Sequence, residues 1–119
     1  MSGPDDGLDL ARTIVETLEA KKGEDILLLD LMGVCSFADY FVLCTGASQR
    51  TLQALSENVI EAVKGRHHLP GDHQEGNAAS GWWLLDYGTV IVHLFSAERR
   101  RYYQLEELWR AGKILVRMP

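Results

Sequence analysis

The segment that most constrains this chain is Trp82-Trp-Leu-Leu-Asp-Tyr-Gly-Thr-Val-Ile-Val-His-Leu-Phe95. Two apolar runs, Trp82–Asp86 and Val90–Phe95, are separated by Tyr87-Gly88-Thr89, and β-branched and aromatic residues suit a pleated, packed surface. Gly88 permits the positive φ that a tight turn needs, so the segment is expected to fold as a β-hairpin. Adjacent tryptophans in an extended strand point to opposite faces, so Trp82 and Trp83 cannot share one environment. Tyr87, at the turn, is expected to be exposed, and an exposed aromatic pair at a hairpin end suits a protein-binding hot spot.

The rest of the chain supplies what this hairpin must pack against. Residues 1–7 are rich in Gly, Pro and Asp and read as a disordered tail before a single domain spanning 8–116. Leu10 or Ala11, Ile14, Val15 and Leu18 follow helical spacing, with Lys21 and Lys22 in the last turn and Gly23 as a left-handed stop. Asp25–Asp30 and Tyr40–Thr45 are short continuous apolar runs, expected as strands buried on both faces. Ser48 caps a helix whose buried stripe is Leu52, Leu55, Val59, Ala62 and Val63, and Gly65 is expected to end it. The irregular stretch from His67 to Ser80 leaves room for a short edge strand near Leu69. Ser96 caps a last helix carrying Tyr102, Leu105, Leu108 and Trp109, with Glu106 and Arg110 at i,i+4 and Gly112 as its end. Ile114-Leu-Val116 then reads as a short apolar tail. The expected architecture is α/β: one mixed sheet of about five strands with helices packed on it.

Charge narrows the function. With 12 Lys and Arg against 17 Asp and Glu, the net charge of −5 opposes wrapping of a phosphate backbone and favours a basic partner. The two cysteines, Cys35 and Cys44, form neither a disulfide framework nor a metal pair. The first residues lack a secretory pattern, and no apolar run approaches the roughly 18 residues of a membrane span. The expectation is a cytoplasmic domain.

In these segments the chain resembles the ribosomal silencing factor (RsfS, Iojap-like) family. The resemblance rests on Asp25-Ile-Leu-Leu-Leu-Asp30, Ala38-Asp-Tyr-Phe-Val-Leu-Cys-Thr-Gly46 with Ser48 and Arg50, Glu75-Gly76, Trp82 to Phe95, and Arg101-Tyr-Tyr-Gln-Leu-Glu-Glu-Leu-Trp109. It implies a nucleotidyltransferase-like topology and a steric function. Such proteins bind the fourteenth protein of the large ribosomal subunit on its intersubunit face, block subunit association and repress translation. Organelle relatives act in large-subunit biogenesis, which gives one alternative function. The family's surface carries a tryptophan and an aromatic or apolar residue at the hairpin turn, which correspond to Trp82 and Tyr87. Trp83 stands where an aliphatic residue is usual, leaving open which indole faces the partner, and Thr89 stands where a second acidic residue is usual. Asp86, His93, Tyr103 and Glu106 complete the surface that the resemblance implies. A homodimer is expected in the free state, because an exposed apolar patch favours self-association.

Two other chemistries have candidate residues in the chain. Asp30, Asp39 and Asp86 lie at strand ends, and Thr45-Gly-Ala-Ser48 opens a helix as a phosphate-binding turn does, so a degenerate nucleotidyltransferase-like nucleotide binder is the other alternative. Metal-dependent phosphoryl transfer needs closely placed carboxylates, typically an Asp-x-Asp pair, and none follows Ser48. No enzyme and no cofactor are therefore expected. His67, His68 and His73 lack cysteine partners or i,i+4 spacing, so no metal is expected either. Arg99-Arg100-Arg101 is either a solvated helix face neutralised by nearby Glu or a minor contact with ribosomal RNA.

Overall fold

In the computed structural model, residues 6–103 and 110–119 are described. The elements run α1 (Asp6–Ala20), β1 (Glu24–Asp30), β2 (Tyr40–Gly46), α2 (Gln49–His67), β3 (Gln74–Asn77), β4 (Trp82–Asp86), β5 (Val90–Ser96), α3 (Ala97–Tyr103) and β6 (Lys113–Met118). Among the described residues the strands form one six-stranded sheet in the order β3-β4-β5-β2-β1-β6. Only the central pair, β2 and β5, is parallel, in register from Tyr40↔Val90 to Gly46↔Ser96. Each strand of this pair therefore runs into a helix at the same end of the sheet. The other neighbours are antiparallel.

Period-two alternation divides the apolar residues between two clusters. Ile26 and Leu28, Tyr40, Val42 and Cys44, Val90, Val92 and Leu94 join Trp83 and Leu85 beneath α1 and α2. Leu27, Leu29, Phe41, Leu43, Ile91 and Phe95 form the second cluster on the opposite face, where Leu31 and Ala38 of the β1–β2 connector cover them. Double burial explains why β1, β2 and β5 are continuous apolar runs.

Local chemistry departs from expectation at four places. The left-handed residue after α1 is Lys22 (φ 69°), not Gly23. Gly23 is needed instead for close approach: a Cβ there would lie 2.5 Å from Cys44 Sγ. Helix α2 continues through Gly65 to His67, and left-handed His68 (φ 58°) ends it. A hydrogen bond of 2.8 Å between His67 Nε2 and Thr13 Oγ1 ties that added turn to α1. The edge strand is Gln74–Asn77 rather than a segment near Leu69, because pairing starts only after Asp86 N–H has bonded to the His73 carbonyl. Residues 113–118 are no tail; they form β6 on the edge of β1, with Val116 and Met118 packed onto the helix-side core. The short apolar run lacked a turn signal, and β1's unpaired edge is what makes it a strand.

Three capping and turn expectations hold, whereas α1 already begins at Asp6, inside the segment read as a tail, and Ala62 is only partly buried. The Ser48 hydroxyl accepts from Thr51 N–H at 3.1 Å, capping α2. Ser96 accepts from Arg99 N–H at 3.2 Å at the start of α3. Gly88 has φ 83° in the hairpin turn. The expected helical positions Leu105, Leu108 and Trp109, and Glu106 of the pair with Arg110, lie outside the described residues.

Candidate functional site

The site is built on the sheet face away from α1 and α2. Strand β4 places Trp82, Leu84 and Asp86 on this face and Trp83 and Leu85 on the helix side. The two indoles are thus told apart. Trp83 is only 9% exposed, and its Nε1–H donates to Gln74 Oε1 at 3.0 Å. Trp82 is half-buried and lies against the second cluster with Leu84.

Beside them, cross-strand register sets His93 opposite Leu84 on one side and Leu43 on the other. The imidazole lies 5.0 Å from the Phe41 ring and stacks almost parallel on Phe95 at 5.8 Å. Neither ring nitrogen has a hydrogen-bond partner among the described residues. Burial among these rings pushes its pKa down to about 4, so the ring is neutral near pH 7. It therefore presents one donor and one acceptor inside an apolar wall. The aromatic row continues through Phe41 to Phe37, 6.1 Å away and 67% exposed on the connector. Met32 and Val34 of the same connector are also exposed.

Two acidic groups border this face. Asp86 is exposed, and its Oδ1 accepts from Gly88 N–H at 2.8 Å, so the carboxylate also fixes the turn. Glu75 stands opposite Leu84 on β3 and is exposed.

The expected pairing of Trp82 with an exposed Tyr87 does not occur. Tyr87 falls on the helix-side parity, is half-buried against the first cluster, and its hydroxyl is buried without a partner among the described residues. Desolvation raises its pKa to about 12. One strand's alternation thus sends the two aromatics to opposite faces and opposite ends. Of the remaining site residues, Tyr103 closes α3, and Glu106 lies outside the described residues.

The arginine run is unequal in its contacts. Arg99 Nε–H donates to the Ser80 carbonyl at 3.0 Å. Arg100 Nη1 donates to the Asp25 carbonyl at 2.5 Å and to Thr45 Oγ1 at 2.9 Å, so it joins α3 to the sheet. Arg101 is exposed.

The turn considered for phosphate opens on a cleft of about 450 Å³ between residues 46–49, 78–81 and 96–99. Ser48 Oγ is committed to capping, Arg99 is committed to Ser80, and Glu98 is the one carboxylate lining the cleft. Asp30 Oδ1 accepts from Met32 N–H at 2.9 Å, a turn role. Among the described residues no group of three or more His, Cys, Asp or Glu is placed to hold a metal ion. No described helix is long and apolar enough to cross a membrane.

Of the residues on this sheet face, the sequence pointed to Trp82, Asp86 and His93 but not to Leu84 and Phe37. Leu84 was legible, since it shares strand parity with Trp82. Phe37 gave no signal: it sits in an aperiodic connector, and only folding of that connector over the sheet brings it to the face.

A small α/β domain with one helix-covered and one aromatic sheet face is the class that fold and site define, and two solved structures share the fold. A protein from Chromobacterium violaceum superposes with a TM-score of 0.80 at 32% identity, covering 89% of this chain and 88% of that one. One from Bacillus halodurans gives 0.75 at 30% identity, covering 86% and 94%. The chain belongs to the ribosomal silencing factor family: residues 4–117 match the family described as "Ribosomal silencing factor during starvation". The ribosomal silencing factor RsfS of Haemophilus influenzae is 38% identical over 84% of this chain and 97% of its own length. That of Bacillus subtilis is 38% identical over 75% of each. A mouse protein named mitochondrial assembly of ribosomal large subunit protein 1 is 32% identical over 81% of this chain and 43% of its own length. The family is one of ribosome-associated regulators.

Proposed function

We propose that this chain docks on the large ribosomal subunit through the sheet face bearing Trp82, Leu84 and His93, and represses translation by keeping the small subunit from joining. The observation that carries the reading is the juxtaposition of half-buried Trp82 and Leu84 with a neutral, unpartnered His93, on a face whose rim includes exposed Phe37. Large aromatics in partly covered pockets are the anchors of protein interfaces, and an orphaned imidazole gains a partner when a neighbour supplies one. The names of the bacterial relatives support silencing, and the mouse relative's name supports the large subunit as the place of action.

The partner in this reading is the fourteenth protein of the large subunit. Asp86 lends charge complementarity to a basic surface, while Tyr87 holds the turn from behind. Tyr103 and Glu106 belong to the same contact in this reading. Arg101 makes any minor contact with ribosomal RNA, since Arg99 and Arg100 hold internal bonds. The action is steric and non-enzymatic, it takes place in the cytoplasm, and the free protein covers the same face by forming a homodimer.

Co-sedimentation with purified large and small subunits, followed by cross-linking and identification of the bound protein, tests the reading. The expected result is retention by large subunits alone, with cross-links from the β4–β5 hairpin to one ribosomal protein. Retention by small subunits, or cross-links only from the α1–α2 side, overturns it. Light scattering separately tests the dimer: a monomer at every concentration removes it.

A further inference from the structure

The last strand leaves one edge of the sheet open. Among the described residues β6 pairs only with β1, so its outer backbone donors and acceptors meet no strand. Ile114 is 42% exposed and Leu115 36% exposed along it. In the ladder, Leu28 faces Val116 and Leu29 faces Ile114, so Leu115 is the extra residue of a bulge. An unpaired edge with apolar side chains is a template for strand addition.

Charge at one end of this edge runs against that of the whole molecule. The chain carries −5, yet a cavity of about 260 Å³ adjoining the end of β6 is lined by Arg100 and Arg117, with Asp25 as its one acidic side chain. Arg117 stands opposite Leu27 and hence on the second face of the sheet. Lys113, at the other end of β6, is exposed.

The same charges disfavour a second copy. Antiparallel self-pairing centred on Leu115 would place Lys113 of each copy opposite Arg117 of the other, and like charges directly opposite destabilise a ladder. A strand carrying carboxylates meets no such penalty.

We infer that β6 is a binding edge for an extended acidic peptide segment of another protein, which adds as a seventh strand and sets a carboxylate against Arg117 beside the Arg100 cavity. Backbone pairing along residues 113–118 supplies affinity, Ile114 and Leu115 supply apolar contact, and the charge of Arg117 selects for acid, Arg100 being held by the Asp25 carbonyl and Thr45. This surface lies at the opposite edge of the sheet from β3 and β4 and does not rest on the docking reading above.

The probe is a short fluorescein-labelled peptide of alternating valine and glutamate, used with the full chain. Anisotropy is expected to rise to saturation, with amide shift changes in nitrogen-15 spectra confined to residues 113–118. Methylating alternate peptide nitrogens on the pairing side, or the Arg117→Glu substitution, is expected to weaken binding by about tenfold or more. A lysine-for-glutamate peptide should prefer the Arg117→Glu protein. Absence of saturable binding overturns the inference, as do equal binding of the methylated peptide and shifts centred on Trp82–Leu84. Shifts at residues 113–118 that grow with protein concentration alone would mark self-pairing and also overturn it.

Discussion

Trp82 and Trp83 are neighbours in the chain and opposites in role, and the contrast extends to the two faces of the sheet. On the helix side, Trp83 fills core volume and satisfies its one donor with Gln74. His67 is tied there to Thr13, while the Tyr87 hydroxyl is buried without a hydrogen-bond partner among the described residues. On the other side, Trp82 and Leu84 remain half-buried, and His93 lacks partners among the described residues. One face is covered by its own helices, whereas the other presents apolar area and an orphaned imidazole. Under the proposed docking, stability belongs to the first face and recognition to the second: the first should answer to denaturants and the second to a partner.

The sharpest way to break this division is a deletion beneath the helices. Leu28 is fully buried on the helix side, so Leu28→Ala should cost about 2–5 kcal/mol of stability in urea unfolding. Binding of the surviving folded fraction to large subunits should be unchanged. On the opposite face, Trp82→Ala should weaken large-subunit binding by about 2 kcal/mol, roughly thirtyfold, with the far-ultraviolet spectrum retained. Tyr87→Ala should instead lower stability more than affinity, because its ring packs on the helix side. If Tyr87→Ala weakens co-sedimentation as much as Trp82→Ala at equal folded fraction, the division between faces is wrong.

Acid tests the orphaned ring. Folded His93 has its pKa lowered to about 4 from an ordinary 6.5, so the unfolded chain takes the proton first. The stability from neutral His93 is complete above pH 6.5 and is lost as the pH falls toward 4, with no further loss below that. The effect is on the order of 1–3 kcal/mol, and His93→Leu should flatten this part of the profile in parallel urea titrations. The smallest change is Gln74→Ala. It orphans the Trp83 donor and should cost about 1 kcal/mol by the same method, without affecting ribosome binding.

Much of this was legible before the fold was known, for identifiable reasons. β1, β2 and β5 announce themselves because burial on both faces demands uninterrupted apolar runs. The hairpin turn announces itself through Gly88. What stayed hidden depends on contacts distant in sequence. Strand β6 exists because β1 has an edge to offer, and α2 outlasts Gly65 through a bond between residues 13 and 67. At the site, strand alternation was enough to separate the two tryptophans but could not say which face the helices would take. Once α1 and α2 cover the side of Trp83 and Leu85, Tyr87 follows them inward. Phe37 belongs to the same class of surprise, because no period governs a connector that folds back over a sheet.

The central parallel pair carries one more consequence. Phe41 and Ile91 lie side by side on the second face although half a hundred residues separate them in the chain, and His93 completes the row only when β5 has found β2. Such long loops close late in folding. The face therefore cannot be displayed by an unfinished nascent chain, by either half released by proteolysis, or by a molecule whose central pair has opened. Under the proposed docking, engagement of a partner becomes a certificate of complete assembly, and damage silences the molecule rather than leaving it to act in part.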